Sequence, residues 1–125
     1  MQVSGLFGLA LDWAVGRAIG AYKGAYQFAE KGDPMQAWIF PDEVPCKATS
    51  GNFLPSTEWR HGGPLIEAHQ VSLHCPQTTD DVWAAWIITN KGEVVQAGDT
   101  ALIAACRAIV AAHLGEVVSV PAELT

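Results

Sequence analysis

The sequence predicts an α+β fold, in which a small antiparallel sheet of three or four strands packs with an N-terminal and a C-terminal helix. Two observations predict it: helical apolar patterns lie near both ends, and short apolar segments separated by turns lie between them. The length of 125 residues favours one domain. Half of the residues are apolar and 16% are charged, which is typical of a chain that folds around its own core.

The N-terminal helix is predicted over residues 6–19, with Ser4 as its N-cap. Small residues and one carboxylate recur every four residues along one side of this helix. They are Gly8, Asp12, Gly16, Gly20 and Gly24. Residues of this size at this spacing allow close packing against a second element, either within the chain or across a dimer. The candidate interface residues are Gly8, Asp12, Trp13, Gly16 and Gly20.

The segment that follows carries weaker patterns. Residues 21–31 predict a second helical stretch, and residues 35–40 form a short apolar run that predicts a strand. An irregular connection is predicted over residues 32–55, because prolines and glycines follow one another closely there. Loops of this length in small domains are often functional.

Three further strands are predicted in the second half of the chain. The first covers residues 65–75 between two prolines, the second residues 82–89, and the third residues 93–97. The second strand is apolar on both faces, as a central strand would be. Asn-Lys-Gly between the second and third strands is typical of a hairpin turn. The three segments therefore predict an antiparallel meander.

The C-terminal helix has the clearest signals. Thr100 stands at the N-cap position, and Asp99 before it complements the helix dipole. Apolar residues recur on one face between residues 102 and 114, and Gly115 follows as a helix-ending residue. Residues 117–120 predict an edge strand after it.

Composition argues against several classes of function. Seven basic and thirteen acidic residues give a net charge of −6, whereas bulk nucleic-acid binding depends largely on Lys and Arg. Cys46, Cys75 and Cys106 are odd in number and contain no CxxC pair, so we expect reduced thiols without a disulfide framework or structural zinc. The apolar N-terminus is too short for a membrane span and lacks a basic leader region. We therefore expect a cytoplasmic protein without a membrane partner.

Residues 55–64, PSTEWRHGGP, are the most informative stretch for a binding site. Trp59 and Arg60 can stack on flat rings, and N–H groups beside Gly62 and Gly63 can form an anion-binding nest. Alternatively, Trp59 anchors the core and the glycines only lead into the next strand. The candidate ligand-binding residues are Ser56, Thr57, Trp59, Arg60, His61, Gly62, Gly63 and Glu67.

Catalysis and metal binding have less support. Glu67 and His69 share one face of the predicted strand and could form a carboxylate–imidazole pair, although such pairs are also ordinary strand contacts. His69 and His74 have opposite parity, so they should not share a metal. Neither standard glycine-rich nucleotide loop is present. We expect no catalytic residue, metal or cofactor, with a small acid–base enzyme using Glu67 and His69 as an alternative.

Three blocks of the sequence resemble the phage NinX-like family of small phage and prophage domains. The blocks are ALDWAV, PSTEW with the following GGPLIE, and TALIAACRAIVAAHLGEVVSVPAEL. The resemblance implies a phage or prophage origin and action in the bacterial cytoplasm. It implies as signature residues Asp12, Trp13, Pro55, Ser56, Thr57, Trp59, Gly62, Gly63, Pro64, Glu67 and Arg107. The chain departs from the family pattern at Glu58, His61 and Ala101, and the family supplies no catalytic residue to transfer.

Two functions from different classes fit these observations. The first is a non-enzymatic phage accessory protein that binds a small, nucleotide-type ligand and counteracts a host defence signal, because binding alone needs no catalytic group. The second is an inhibitor or adaptor of a host protein, because an acidic chain with five tryptophans fits an aromatic-anchored surface. In both we expect a homo-oligomer, since the glycine stripe and the apolar excess suggest a further interface.

Overall fold

The computed structural model describes residues 1–20 and 53–120, together with the backbone of two short strands in the segment between. The helices, in chain order, are a 3-10 helix Val3–Gly5, then α1 (Gly8–Ala18), α2 (Trp59–Ala68) and α3 (Ala101–Leu114). The strands, in chain order, are β1 (Tyr22–Lys23), β2 (Trp38–Ile39), β3 (Ser72–His74), β4 (Trp83–Thr89) and β5 (Gly92–Gly98). No helix in the described ranges is long and apolar enough to cross a bilayer.

The central feature of the fold is a three-stranded antiparallel sheet in the order β3-β4-β5. Trp86 of β4 lies opposite Ser72 on one side and Val95 on the other, so the three strands form the predicted meander. Ala85 and Ile87 point into the core, while Ile88, the residue after Ile87, points to the other face and is 78% exposed. The α+β class is confirmed, with helices from both ends of the chain flanking the sheet: α3 packs against the sheet, and α1 packs against α3.

Helix α3 forms the centre of the core. Nine of its fourteen residues are buried, and it packs against the sheet, α1 and α2. Its predicted ends are confirmed: the Thr100 hydroxyl accepts the Ile103 N–H at 3.1 Å, and Gly115 follows with φ of 89°. The left-handed backbone at Gly115 is one that glycine adopts without strain.

Helix α1 is shorter than predicted, and its start has no side-chain cap. It begins at Gly8 after Phe7, so Ser4 lies in the separate 3-10 helix and is not its N-cap. Arg107 of α3 holds the segment that leads into α1. Its Nε donates to the Leu6 carbonyl and its Nη1 to the Ala97 carbonyl, each at 2.8 Å. This guanidinium therefore joins the N-terminal segment to the end of β5.

The strand predicted over residues 65–75 is wrong in its first part, because α2 continues through Pro64 to Ala68 and only Ser72–His74 is strand. Pro64 lacks an N–H, so one helical hydrogen bond is missing, but the helix is not interrupted. The helix ends where Gln70 adopts φ of 52°, with N–H groups of Gln70 and Val71 donating to the Glu67 and Ile66 carbonyls. This is a Schellman ending, for which glycine is the usual sequence signal.

Only some of the predictions made for the first half of the chain fall on described residues. Strand β2 falls within the strand predicted over residues 35–40, whereas β1 shows that the helical prediction over 21–31 is wrong at those two residues. Val117 forms one isolated bridge with Gln2, so no edge strand is formed by the described residues after α3. Gly24, Cys46 and most of the predicted irregular connection lie outside the described residues.

Gly98 gives a test of how closely β5 and α3 are packed. A Cβ at this position would lie 2.6 Å from the Ala104 amide nitrogen and 2.8 Å from the Ile103 Cγ2 atom. Gly98→Ala should therefore lower the free energy of unfolding, measured by urea denaturation, by about 1–3 kcal/mol. The control is Gly5→Ala, where no atom lies within 4 Å, and it should change stability by less than about 0.5 kcal/mol. Equal effects of both substitutions would contradict the packing.

Candidate functional site

A cavity of about 260 Å³ opens where the start of α3 meets the start of α2. Ser56, Thr57 and Trp59 line it from the stretch that the sequence singles out, and residues 100–103 line it from α3. Sites that enclose drug-sized ligands have volumes of roughly 300–1,000 Å³, so this cavity suits one moiety of a ligand. Three of the eight predicted ligand-binding residues thus share one cavity.

Trp59 is exposed, so the alternative in which it anchors the core is wrong. It is the first residue of α2, and 58% of its surface is accessible. Gly63 lies one turn further along the helix, and a Cβ there would come within 3.9 Å of the indole Cε3 atom. An exposed indole next to a cavity offers a flat apolar surface to a ligand.

Gly62 has a packing role behind the cavity. It is buried, and a Cβ at this position would lie 2.5 Å from the Pro55 carbonyl oxygen and 2.7 Å from the Leu102 Cδ2 atom. The absent side chain therefore allows α2 to approach both the 53–57 segment and α3. This contact brings Ser56 and the first turn of α3 into the same cavity.

His61 supports the site from the buried side of α2. Its Nδ1 accepts the Leu54 N–H at 3.0 Å, and its ring centroid lies 5.7 Å from that of Phe53. Burial lowers the pKa of His61, and the neighbouring Arg60 charge lowers it further, against the opposing effect of Glu58. A neutral ring with its proton on Nε2 fits the accepted hydrogen bond. His61 therefore positions the 53–57 segment and does not line the cavity.

The remaining predicted ligand-binding residues lie away from the cavity lining. Arg60 and Glu67 are exposed on α2, and Gly63 is half-buried beneath Trp59. Sequence reasoning placed the anion-binding groups around Arg60 and the two glycines. The structure instead brings in Thr100–Ile103, which the sequence marks only as a helix start. That signal identifies a helix N-terminus but not the segment it faces.

A buried hydrogen bond joins α1 to this site. Asp12 is 1% exposed, and its Oδ1 accepts the Ser56 N–H at 2.8 Å. Burial raises the pKa of Asp12 to about 6, with the Ser56 N–H and the nearby Ser56 side chain opposing this shift. The Ser56 hydroxyl oxygen is itself buried and has no hydrogen-bond partner of normal geometry. Asp12 therefore holds the backbone of Ser56, and its carboxyl lies close to the buried Ser56 hydroxyl.

The buried thiol of Cys106 lies on α3 near this carboxylate. Burial raises the pKa of Cys106 strongly, and the Asp12 charge adds to that effect. Cys75, after β3, is also a free thiol but is exposed. Of these two cysteines, only Cys75 is accessible to reagents in solution while the chain is folded.

The predicted interface residues of α1 do not lie on one surface. Asp12 and Gly16 are buried within the chain, because this side of α1 packs against the chain's own core. Gly8 is the first residue of the helix and Gly20 follows its end, and both have positive φ angles. Trp13 is half-buried, with the Arg17 guanidinium 5.8 Å from its ring centroid. The homo-oligomer therefore remains a prediction that the buried stripe does not support.

Trp13 borders a second cavity, which lies between α1 and the segment that follows α3. Its volume is about 260 Å³, and its lining combines apolar side chains with one cation and one hydroxyl. The lining residues are Trp13, Arg17, Leu114, Val117, Val118 and Ser119. It shares no residue with the cavity at Trp59.

The strand face that would pair Glu67 with His69 does not exist, because Glu67 is in α2 and His69 follows its end. His69 Nδ1 instead lies 3.2 Å from His113 Nε2. Burial lowers the pKa of His69, and His113 lowers it further. His74 pairs with Asp81, Nε2 to Oδ2 at 2.7 Å. Across the described ranges, no three His, Cys, Asp or Glu side chains are grouped as metal ligands.

The raised pKa of Asp12 predicts a specific dependence of stability on pH. The folded chain favours the protonated carboxyl, so this contribution is complete below the unfolded pKa and is lost as pH rises through about 6. Asp12→Asn keeps an acceptor for the Ser56 N–H and cannot ionise. Its unfolding free energy relative to wild type should rise by up to about 3 kcal/mol between pH 4 and pH 7.

Urea denaturation of both proteins at several pH values measures this difference. Asp12→Ala is the control, because it leaves the Ser56 N–H without its acceptor and should be less stable than Asp12→Asn by about 1–3 kcal/mol. A wild-type-to-Asn difference that stays constant with pH would contradict the buried ionisable carboxyl.

Comparison with known proteins identifies the family. The family model described as "Bacteriophage P22, NinX" matches residues 2–113, which covers most of the chain and all residues that line the Trp59 cavity. None of the curated proteins compared with the chain matches it. Several of the signature positions that the resemblance implies fall on the Asp12–Ser56 contact, on Gly62 and on Arg107, all of which have structural partners here. The chain belongs to the bacteriophage P22 NinX family and is a phage accessory protein.

Proposed function

We propose that this phage accessory protein binds a small, nucleotide-type ligand at the Trp59 cavity and has no catalytic activity of its own. The observation that supports this most directly is an exposed indole lining a cavity whose opposite wall is the first turn of α3. The cavity also has hydroxyl groups on Thr57 and Thr100, which can fix the orientation of a polar ligand.

Trp59 is the group that would recognise a flat ring. Stacking of a base on an aromatic side chain contributes about 1–3 kcal/mol and depends little on the identity of the base. The cavity is too small to enclose a complete nucleotide, so the remaining moiety would extend over exposed Trp59.

Binding alone would be sufficient for a role against host defence. A phage protein that sequesters a nucleotide-type signal in the bacterial cytoplasm lowers the free concentration of that signal. Such a role requires affinity and abundance but no nucleophile, general base or metal. This role is therefore compatible with the finding that Glu67 and His69 do not share a strand face as an acid–base pair would.

A second candidate function is inhibition or recruitment of a host protein. The outer face of the sheet carries neighbouring apolar side chains, with Ile88 78% and Val95 53% exposed, and Trp86 directly opposite Val95. Contiguous exposed apolar residues of this kind are typical of protein-binding surfaces. This face is separate from the Trp59 cavity, so the two functions can be tested independently.

The first function predicts that cyclic or linear nucleotides raise the melting temperature of the chain, since a ligand that binds the folded state stabilises it. Trp59→Ala should weaken binding of the responding nucleotide by about tenfold or more, measured by calorimetry. Its own melting temperature should change little, because the indole is largely exposed. The control is Phe7→Ala, which removes another exposed aromatic ring that is distant from Trp59 in the sequence, and this variant should retain affinity.

A well-folded sample that no nucleotide stabilises would exclude the first function. The second function would be favoured by a host protein that binds the wild-type chain stoichiometrically, and whose binding is abolished by Ile88→Glu but not by Trp59→Ala.

A further inference from the structure

We propose that His69 and His113 together form a binding site for one divalent transition-metal ion of the zinc type. The two residues lie 44 positions apart in the sequence, and the fold brings them together where α2 and α3 end. This inference is independent of the proposed function, because neither residue lines the Trp59 cavity. It also differs from the sequence prediction, which expected no metal and considered His69 as a metal ligand only together with His74.

The spacing of the two ring nitrogens fits two ligands of one metal ion. His69 Nδ1 and His113 Nε2 are 3.2 Å apart. Two imidazole nitrogens that each bind a tetrahedral zinc ion at about 2.0–2.1 Å are about 3.3–3.4 Å apart. The two rings therefore need to separate by only about 0.1–0.2 Å to share such an ion.

The orientation of the two rings also fits a shared ion. Their centroids lie 5.0 Å apart, and their planes are inclined at 79°. A straight hydrogen bond between the two nitrogens would place the centroids about 5.5 Å apart. Two imidazoles on one tetrahedral zinc ion would place them about 5.2 Å apart. The rings therefore meet at an angle that is closer to the arrangement around one ion than to a straight hydrogen bond.

Two helices present their C-terminal ends at this site. His69 is the C-cap residue of α2, and His113 lies in the last turn of α3. Aligned peptide dipoles place negative partial charge at the C-terminal end of a helix, and a nearby cation is stabilised there. The two helices therefore favour positive charge at the position where the two rings meet.

The chemistry of the pair defines the ion. Imidazole binds metals in its neutral form, and burial together with the neighbouring His113 lowers the pKa of His69, which favours the neutral ring. Imidazole suits Zn²⁺, Ni²⁺ and Cu²⁺, whereas Mg²⁺ and Ca²⁺ prefer oxygen ligands. No third His, Cys, Asp or Glu among the described residues joins the pair, so water would complete the coordination. We therefore expect weaker binding than at a structural zinc site with four protein ligands.

The test is a calorimetric titration of the untagged full chain with zinc chloride, accompanied by thermal shift. One zinc ion should bind per chain and raise the melting temperature, because an ion that binds the folded state stabilises it. His113→Ala should weaken zinc binding by about tenfold or more, since it removes one of two protein ligands. His113 is exposed, so the melting temperature of this variant without zinc should change little.

Two controls test the specificity of binding. His74→Ala removes an imidazole that lies elsewhere, on β3, and should leave the zinc affinity unchanged. Mg²⁺ at the same concentration should cause no thermal shift, because the site offers nitrogen ligands. Nitrogen-15 NMR supplies a direct measurement, in which zinc should shift the resonances of His69 Nδ1 and His113 Nε2.

Several outcomes would overturn the site. They are equal zinc affinity in wild type and His113→Ala, loss of binding in His74→Ala, and absence of binding at zinc concentrations up to about 1 mM. An equal response to Mg²⁺ would also overturn it, since it would reflect general attraction of cations to a chain with a net charge of −6. None of these measurements uses a nucleotide, so their result leaves the test of the proposed function unaffected.

Discussion

The close packing around the first turns of α3 is the constraint on which the rest of the structure depends. Two glycines lie where neighbouring elements come nearest to this helix. Gly98 of β5 faces Ile103 and Ala104, and Gly62 of α2 faces Leu102, each at a distance that leaves no room for a Cβ. Because the sheet and α2 both meet α3 near the same end, that end is fixed from two sides. The fold thus holds the start of α3 more firmly than its helical hydrogen bonds alone would.

This constraint explains why the cavity is located where it is. Helix α2 can approach α3 this closely because Gly62 has no side chain, and the same contact brings the Pro55 carbonyl close and places Ser56 in the cavity wall. Asp12 then holds the Ser56 amide from the side of α1. Burying a carboxyl is unfavourable, and its raised pKa reflects that cost. The site is therefore built from three helices that meet at one short segment.

Local signals predicted much of the fold, and tertiary contacts determined the rest. The meander and α3 were predictable because their apolar periods, hairpin turn and Thr100 cap are encoded in adjacent residues. Helix α2 was not, because glycines and Pro64 normally argue against a helix, and Gln70 ends it in a conformation usually marked by glycine. For the site, residue chemistry indicated Ser56, Thr57 and Trp59. The first turn of α3 lies more than forty positions away in the sequence, and no local pattern links the two.

The contrast between the two described cysteines has a kinetic consequence. Cys106 is 1% exposed on the helix that every major element contacts, whereas Cys75 is open to solvent. A thiol reagent can modify Cys75 in the native state, but it reaches Cys106 only when α3 separates from its neighbours. When reclosing is faster than labelling, the slow alkylation rate reports the equilibrium population of that opened state. The chain therefore carries an internal reporter of how often its own core opens.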